Sequence, residues 1–245
     1  MPLINTIRDI RVIDPVSGDE YDWVIGSTSE IKVNPYACYL ASRRWKDVLA
    51  VCKASSAGSE QPRFHGSDGR RVRTQEQIGR CCLNRLLHSM SLRPHAKKGW
   101  LALENGIVRM TDFDTEDRKA DGFDPRHDVD FCILMLQTTD GMRTMHFSSG
   151  LEVPEGALDA SEASGYTETA GKFVASMFNT PEHTVNHQDW YPEVTENDAG
   201  VTEMSREEGL RNAIRELYGR HESKRRQRSV VDAWNAARLA STANK

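Results

Sequence analysis

The stretch Gly69-Arg-Arg-Val-Arg-Thr-Gln-Glu-Gln-Ile-Gly-Arg80 gathers four arginines around the start of a predicted helix, in a chain whose formal net charge is −4. Such residues suit a phosphate backbone. Each contact neutralises a charge and releases condensed counterions, and the planar guanidinium grips phosphate oxygens in pairs. Arg43, Lys46, Lys53, Arg70, Arg71, Arg73, Arg80, Arg85, Lys97 and Lys98 could furnish one such surface, and Lys224, Arg225, Arg226 and Arg228 a second. The bland alternative is a set of solvated helix faces that pair with the chain's own acids.

The charge map supports the first view. Residues 1–37 carry a net −3, residues 38–98 a net +9, residues 99–202 a net −14 and residues 203–245 a net +4. That alternation points to a polyanionic partner or to contacts between the chain's own blocks.

A different chemistry is open to the acids. Asp112-x-Asp114 ends one predicted strand and Asp128-x-Asp130 begins its expected antiparallel neighbour, so strand alternation places each pair on one face and both pairs at one end of the sheet. Converging carboxylates can hold Mg²⁺ for phosphoryl chemistry, with His127 or Lys119 beside them. The connecting residues 115–126 read equally as a charged turn that stays hydrated, and they lack the glycine placement of a Ca²⁺ loop. We therefore assign no metal site and no cofactor. His183-x3-His187 could set two imidazoles on one helix face but has no partner pair of ligands, the five cysteines show no C-x2-C spacing, and the helical cysteines fall on apolar faces. Buried, reduced thiols are the expectation.

The elements that must position these groups follow from periodicity. Ile7 to Ile13, a Pro15-Val-Ser-Gly18 turn and Tyr21 to Ile25 read as an N-terminal hairpin. From Pro35 the stripe Ala37, Ala41, Trp45, Val48, Cys52 predicts a helix, and residues 55–62 a loop. Thr74-x-x-Gln77 reads as a capping box for a helix bearing Ile78, Cys82, Leu86 and Met90, with Arg73, Gln77, Arg80, Asn84 and His88 along another side. Asn105-Gly106 and Asp140-Gly141 each predict a tight hairpin turn. Phe131 to Leu136, apolar at every position, predicts a strand covered on both faces. Lys172 to Phe178 suggests a short helix, and Ser205-x-x-Glu208 and Ser229-x-x-Asp232 predict two C-terminal helices.

The fold expected is α+β: an antiparallel sheet of four or more strands flanked by helices, with a C-terminal helical segment. Three regions are expected, a mixed core over 1–150, an acidic and partly irregular segment over 151–202, and a basic helical segment over 203–245. The longest apolar run is far too short to span a bilayer and no signal-like segment opens the chain, so a cytoplasmic protein without a membrane partner is expected. With no catalytic signature in view, the charge pattern favours a nucleic-acid-binding protein, of DNA or RNA, that could serve as a non-catalytic subunit among other proteins of a nucleoprotein complex. A metal-dependent nuclease using the paired aspartates, and a structural protein whose acidic and basic blocks mate between copies, are the rivals.

Overall fold

The computed structural model describes residues 6–7, 10–16, 18–43, 46–55, 75–111, 126–148, 150–154, 156–165, 167–186 and 205–243, without the side chains of 6–7, 108–111, 126–128, 151–152, 237–238 and 240–243. In chain order the elements are β1 (Thr6–Ile7), β2 (Ile10–Ile13), β3 (Trp23–Ile25), α1 (Glu30–Ser42), β4 (Val48–Val51), α2 (Gln75–Leu92), β5 (Gly99–Thr111), β6 (Arg126–Thr138), β7 (Arg143–Phe147), β8 (Leu151–Glu152), α3 (Ala157–Ala163), α4 (Ala170–Phe178) and α5 (Arg206–Ala243).

The strands form one sheet in the order β1-β2-β4-β3-β5-β6-β7, with β8 also paired to β6. The sheet is mixed, which corrects the antiparallel expectation. Strands β2, β4, β3 and β5 run parallel to their neighbours, whereas β1/β2, β5/β6, β6/β7 and β6/β8 are antiparallel. The N-terminal hairpin fails for the same reason: β4 lies between β2 and β3 and pairs with both. Its residues Leu49, Ala50 and Val51 are all buried, as a parallel strand covered on both faces requires. In the sequence Val48 and Cys52 continue a helical stripe from Pro35, but α1 begins at Glu30 and ends at Ser42, leaving both to the strand and its exit.

Helices cover both faces. On one side α1 and α5 set Val33, Tyr36, Leu40, Leu210, Ile214 and Leu217 against Ile25, Leu101, Leu103, Leu134 and Leu136. On the other, α2 sets Ile78, Cys82 and Leu86 against Val24, Ala50, Trp100, Ala102 and Ile133. The period-2 alternation of β5 and β6 feeds the two cores in turn, so Phe131 to Leu136 are buried throughout. Tyr36 and Tyr218 tie α1 to α5 through a 2.6 Å bond between their hydroxyls, with Trp23 and Tyr39 packed edgewise or tilted around them. A third, smaller cluster joins Val153 and Ala157 to Val174, Ala175 and Val185 around α3 and α4.

Two turn signals had opposite outcomes. Gly141, at φ +80°, closes the β6–β7 hairpin as its Asp-Gly pair predicts. Asn105-Gly106 makes no turn, because β5 runs straight through it in register with β6. The glycine serves a close approach instead: a Cβ at Gly106 would lie 2.2 Å from Cδ1 of Ile78, so its bare backbone lets α2 settle onto the sheet.

The two predicted C-terminal helices are one helix of 38 residues. Ser205 caps its start, its Oγ accepting from the N–H of Glu208 at 3.1 Å. Ser229 lies inside it; the flanking Lys, Arg and Gln residues are good helix formers and carry the helix past the serine. Among the described residues no helix is long and apolar enough to cross a membrane. All five cysteines are free thiols, and burial pushes those of Cys52 and Cys132 up to about 11 and about 12.

Candidate functional site

The parallel half of the sheet makes a crevice. The chain leaves β3 for α1 on one face and leaves β4 towards α2 on the other, so the carboxyl ends of these neighbouring strands diverge. In open α/β sheets such a divergence is where ligands bind. The crevice is bordered by Gly26-Ser-Thr-Ser29 after β3, by Cys52-Lys-Ala-Ser55 after β4, and by the stretch of β5 that runs on past its last pairing with β3 at Leu101.

Arg85 of α2 staples this end together. Its Nη1 donates to the carbonyl of Ala54 at 2.6 Å and to that of Gly26 at 3.3 Å, while Nε and Nη2 lie 2.9 and 2.8 Å from Oε2 of Glu104 on β5. Both partners of this ion pair are largely withdrawn from water, so each needs the other. Glu104 Oε1 takes no hydrogen bond among the described residues. His88 Nδ1 accepts from the N–H of Ser55 at 2.8 Å and fixes the start of the segment after β4.

From the opposite face comes Lys32 of α1. Its Nζ donates only to the carbonyl of Leu103, at 3.5 Å, and forms no ion pair among the described residues. Lys32 is partly buried, and desolvation lowers its pKa from the ordinary lysine value, opposed by the nearby thiol of Cys132 and carboxylate of Glu104. Beside it the first turn of α1 is uncapped by side chains: Ser29 occupies the N-cap position with extended backbone but makes no capping bond. Ser27 is buried, its Oγ accepting from the N–H of Ser29 at 3.1 Å, and Thr28 is exposed. The start of a 13-residue helix therefore carries three hydroxyl residues before it and a partly buried lysine in its first turn.

The cations named from the sequence are distributed differently. Arg85 belongs to the staple just described. Arg80 is exposed and pairs with Glu76 one turn away at 2.6 Å; Arg43 pairs with Glu222 at 2.8 Å; Lys97 and Lys98 pair with Glu20 and Asp47 at 2.7 and 2.6 Å. Lys46 and Lys53 are exposed, Lys53 at the mouth of the crevice after β4. Arg70, Arg71 and Arg73 lie outside the described residues, as do Asp112 and Asp114 and the side chain of Asp128. Asp130 is buried on β6, on the sheet face opposite to Glu104. His183 is exposed, and His187 lies outside the described residues. Lys224, Arg225, Arg226 and Arg228 are all exposed on α5, remote in sequence from the crevice elements.

No family model matches the chain, and no curated protein matches it. Solved structures do. Protein VC0702 from Vibrio cholerae is similar over 80% of this chain and 91% of its own, at 15% identity and a TM-score of 0.52. A likeness at that identity shows the fold alone, a mixed sheet with helices.

Sequence reasoning passed over Lys32, Glu104 and the Gly26-Ser-Thr-Ser29 turn. The signal was present: three buried apolar residues, a glycine, three hydroxyl residues and then a helix is a strand–turn–helix transition suited to an anion. Starting the helix at Pro35 hid it.

Proposed function

We propose that the chain binds a small phosphate-bearing molecule of the nucleotide class in the crevice at the carboxyl ends of β3 and β4, and acts on its phosphates. Lys32 carries this reading. A partly buried ammonium with no anionic partner among the described residues is costly, and a ligand phosphate is the group that offsets the cost. The N–H groups opening α1 and the hydroxyls of Thr28 and Ser29 supply further donors, and Lys53 adds charge at the mouth. Glu104, with Oε2 held by Arg85, offers Oε1 to a Mg²⁺ ion shared with the phosphates; Mg²⁺ is commonly held by one or two carboxylates plus substrate oxygens. Such an ion would polarise a phosphoanhydride towards attack by water.

The test is a titration with a panel of nucleoside triphosphates and Mg²⁺, together with an assay for released phosphate or pyrophosphate. Saturable binding is expected, with turnover that Glu104→Gln abolishes while binding survives. Absence of binding across the panel, or turnover untouched by Glu104→Gln, defeats the proposal. Polynucleotide binding is a separate reading, and it draws its support from α5.

A further inference from the structure

Helix α5 has two unlike halves. From Leu210 to His221 it is core: Leu210, Ala213, Ile214, Leu217, Tyr218 and His221 are buried at helical spacing against α1 and the sheet. From Ser223 to Ala236 every residue is exposed. At about 1.5 Å per residue the helix extends roughly 30 Å past His221. The first turns of that exposed half hold Lys224, Arg225, Arg226 and Arg228 within five residues.

Two observations set these cations apart. Several other described cations sit in carboxylate pairs, among them Arg43–Glu222, Arg80–Glu76, Arg93–Asp14, Lys97–Glu20 and Arg211–Glu207, whereas Arg215 and Arg220, earlier on the same helix, form none among the described residues; the four are marked by falling within five residues. None of the four on α5 forms an ion pair among the described residues, and the adjacent Glu222 is already held by Arg43 at 2.8 Å. In addition, residues 222–229 contain no apolar side chain; Ser223, Gln227 and Ser229 interleave with the cations, and Arg225, Arg226 and Ser229 share a shallow hollow with Glu222. The exposed apolar side chains of this half, Val230, Val231, Trp234 and Leu239, follow beyond the cations, and the vesicle arm of the test separates a lipid surface from a nucleic acid. A phosphate backbone needs only cations and hydrogen-bond donors along a line.

We propose that residues 222–229 of α5 form a sequence-independent contact for the nucleic-acid backbone, distinct from the crevice. Lys224 and Arg228 are one turn apart on one side, about 6 Å along the axis, with Arg225 flanking them, so a single strand laid across the helix meets three cations, while Arg226 projects from the far side. Recognition is electrostatic and reads no bases.

The test measures binding of fluorescent single-stranded and duplex oligonucleotides across a salt series, using the full chain and the variant K224Q/R225Q/R226Q/R228Q. Glutamine keeps helix propensity at exposed positions, and circular dichroism checks that the variant is folded. We expect binding at low salt with a log–log salt slope of roughly −3 for about three to four phosphate contacts. The variant should lose at least tenfold in affinity and most of the slope. No binding at 50 mM salt, an unchanged affinity in the folded variant, or equal binding to polyglutamate or to phosphatidylserine vesicles each overturns it. Lys32→Met should leave this binding untouched, which separates its failure from that of the crevice.

Discussion

Replacing Lys32 by Met should make the protein more stable and less able to bind its ligand. The side chain keeps most of its length and apolar stem but loses a charge that burial disfavours. The sign follows from linkage. A base whose folded pKa lies below its ordinary value of 10.5 destabilises the fold wherever it is charged in both states; the penalty is full below the lowered folded value and disappears above 10.5. The wild type therefore carries a penalty that is greatest at low pH and shrinks as pH rises through the lowered folded value. Among the described residues it makes one bond, a long one at 3.5 Å to the carbonyl of Leu103, so little is lost with it. Relief of strain of this kind at a functional site is commonly worth about 0.5–2 kcal/mol. In a chain of this size that is a rise of roughly 1–8 °C in melting temperature. A charge-assisted hydrogen bond to phosphate contributes about 1.5–3 kcal/mol, so nucleotide affinity should fall roughly 10- to 150-fold. Differential scanning fluorimetry and titration calorimetry on the same preparation read both effects. A variant that melts lower than wild type yet binds with undiminished affinity would refute the reasoning, since Lys32 would then be a structural cation.

Three further perturbations probe the frame. Ile133 is 1% exposed within β6, so Ile133→Asp buries an unpaired charge at a cost of several kcal/mol, and a soluble, cooperatively melting variant would show that the strand is not interior. Gly106→Ala forces a methyl into Ile78 and should cost about 1–3 kcal/mol by chemical denaturation; a neutral result would mean that α2 stands off the sheet. His221 accepts from or donates to Thr144 at 2.9 Å and Thr138 at 3.3 Å, and burial lowers its pKa, with Arg225 and Lys224 opposing protonation and Asp140 and Glu222 favouring it. Stability contributed by its neutral form is present above the ordinary value of 6.5 and lost as pH falls below it, so the melting temperature should drop between pH 7 and 5 by more in wild type than in His221→Gln. Parallel pH profiles would remove His221 from the account.

What the sequence disclosed and what it concealed have physical causes. The all-apolar run Phe131 to Leu136, the Asp140-Gly141 turn, the apolar stripe of α2 and the Ser205 cap are local signals, and each formed as read. The parallel arrangement is not local. Nothing in Val48 to Val51 states that β4 will pair with both β2 and β3, and over four residues a buried strand and a buried helical turn look alike. Gly106 misled because Asn-Gly is a strong turn signal, whereas the reason for the glycine, Ile78 above it, lies 28 positions back along the chain. The cations were legible as types but not by their partners. Arg85 and Lys98 are committed to Glu104 and Asp47, while Lys32, which lacks such a partner among the described residues, sits in an acidic block where a count by segment gives it no prominence.

The most direct measurement is a crystal structure of the chain with a non-hydrolysable nucleoside triphosphate and Mg²⁺. The account predicts phosphate density within hydrogen-bonding distance of the backbone N–H groups that open α1 and of Lys32 Nζ, with the metal on Glu104. Phosphates seated only on α5, or none in a crystal whose crevice is open to solvent, would contradict it.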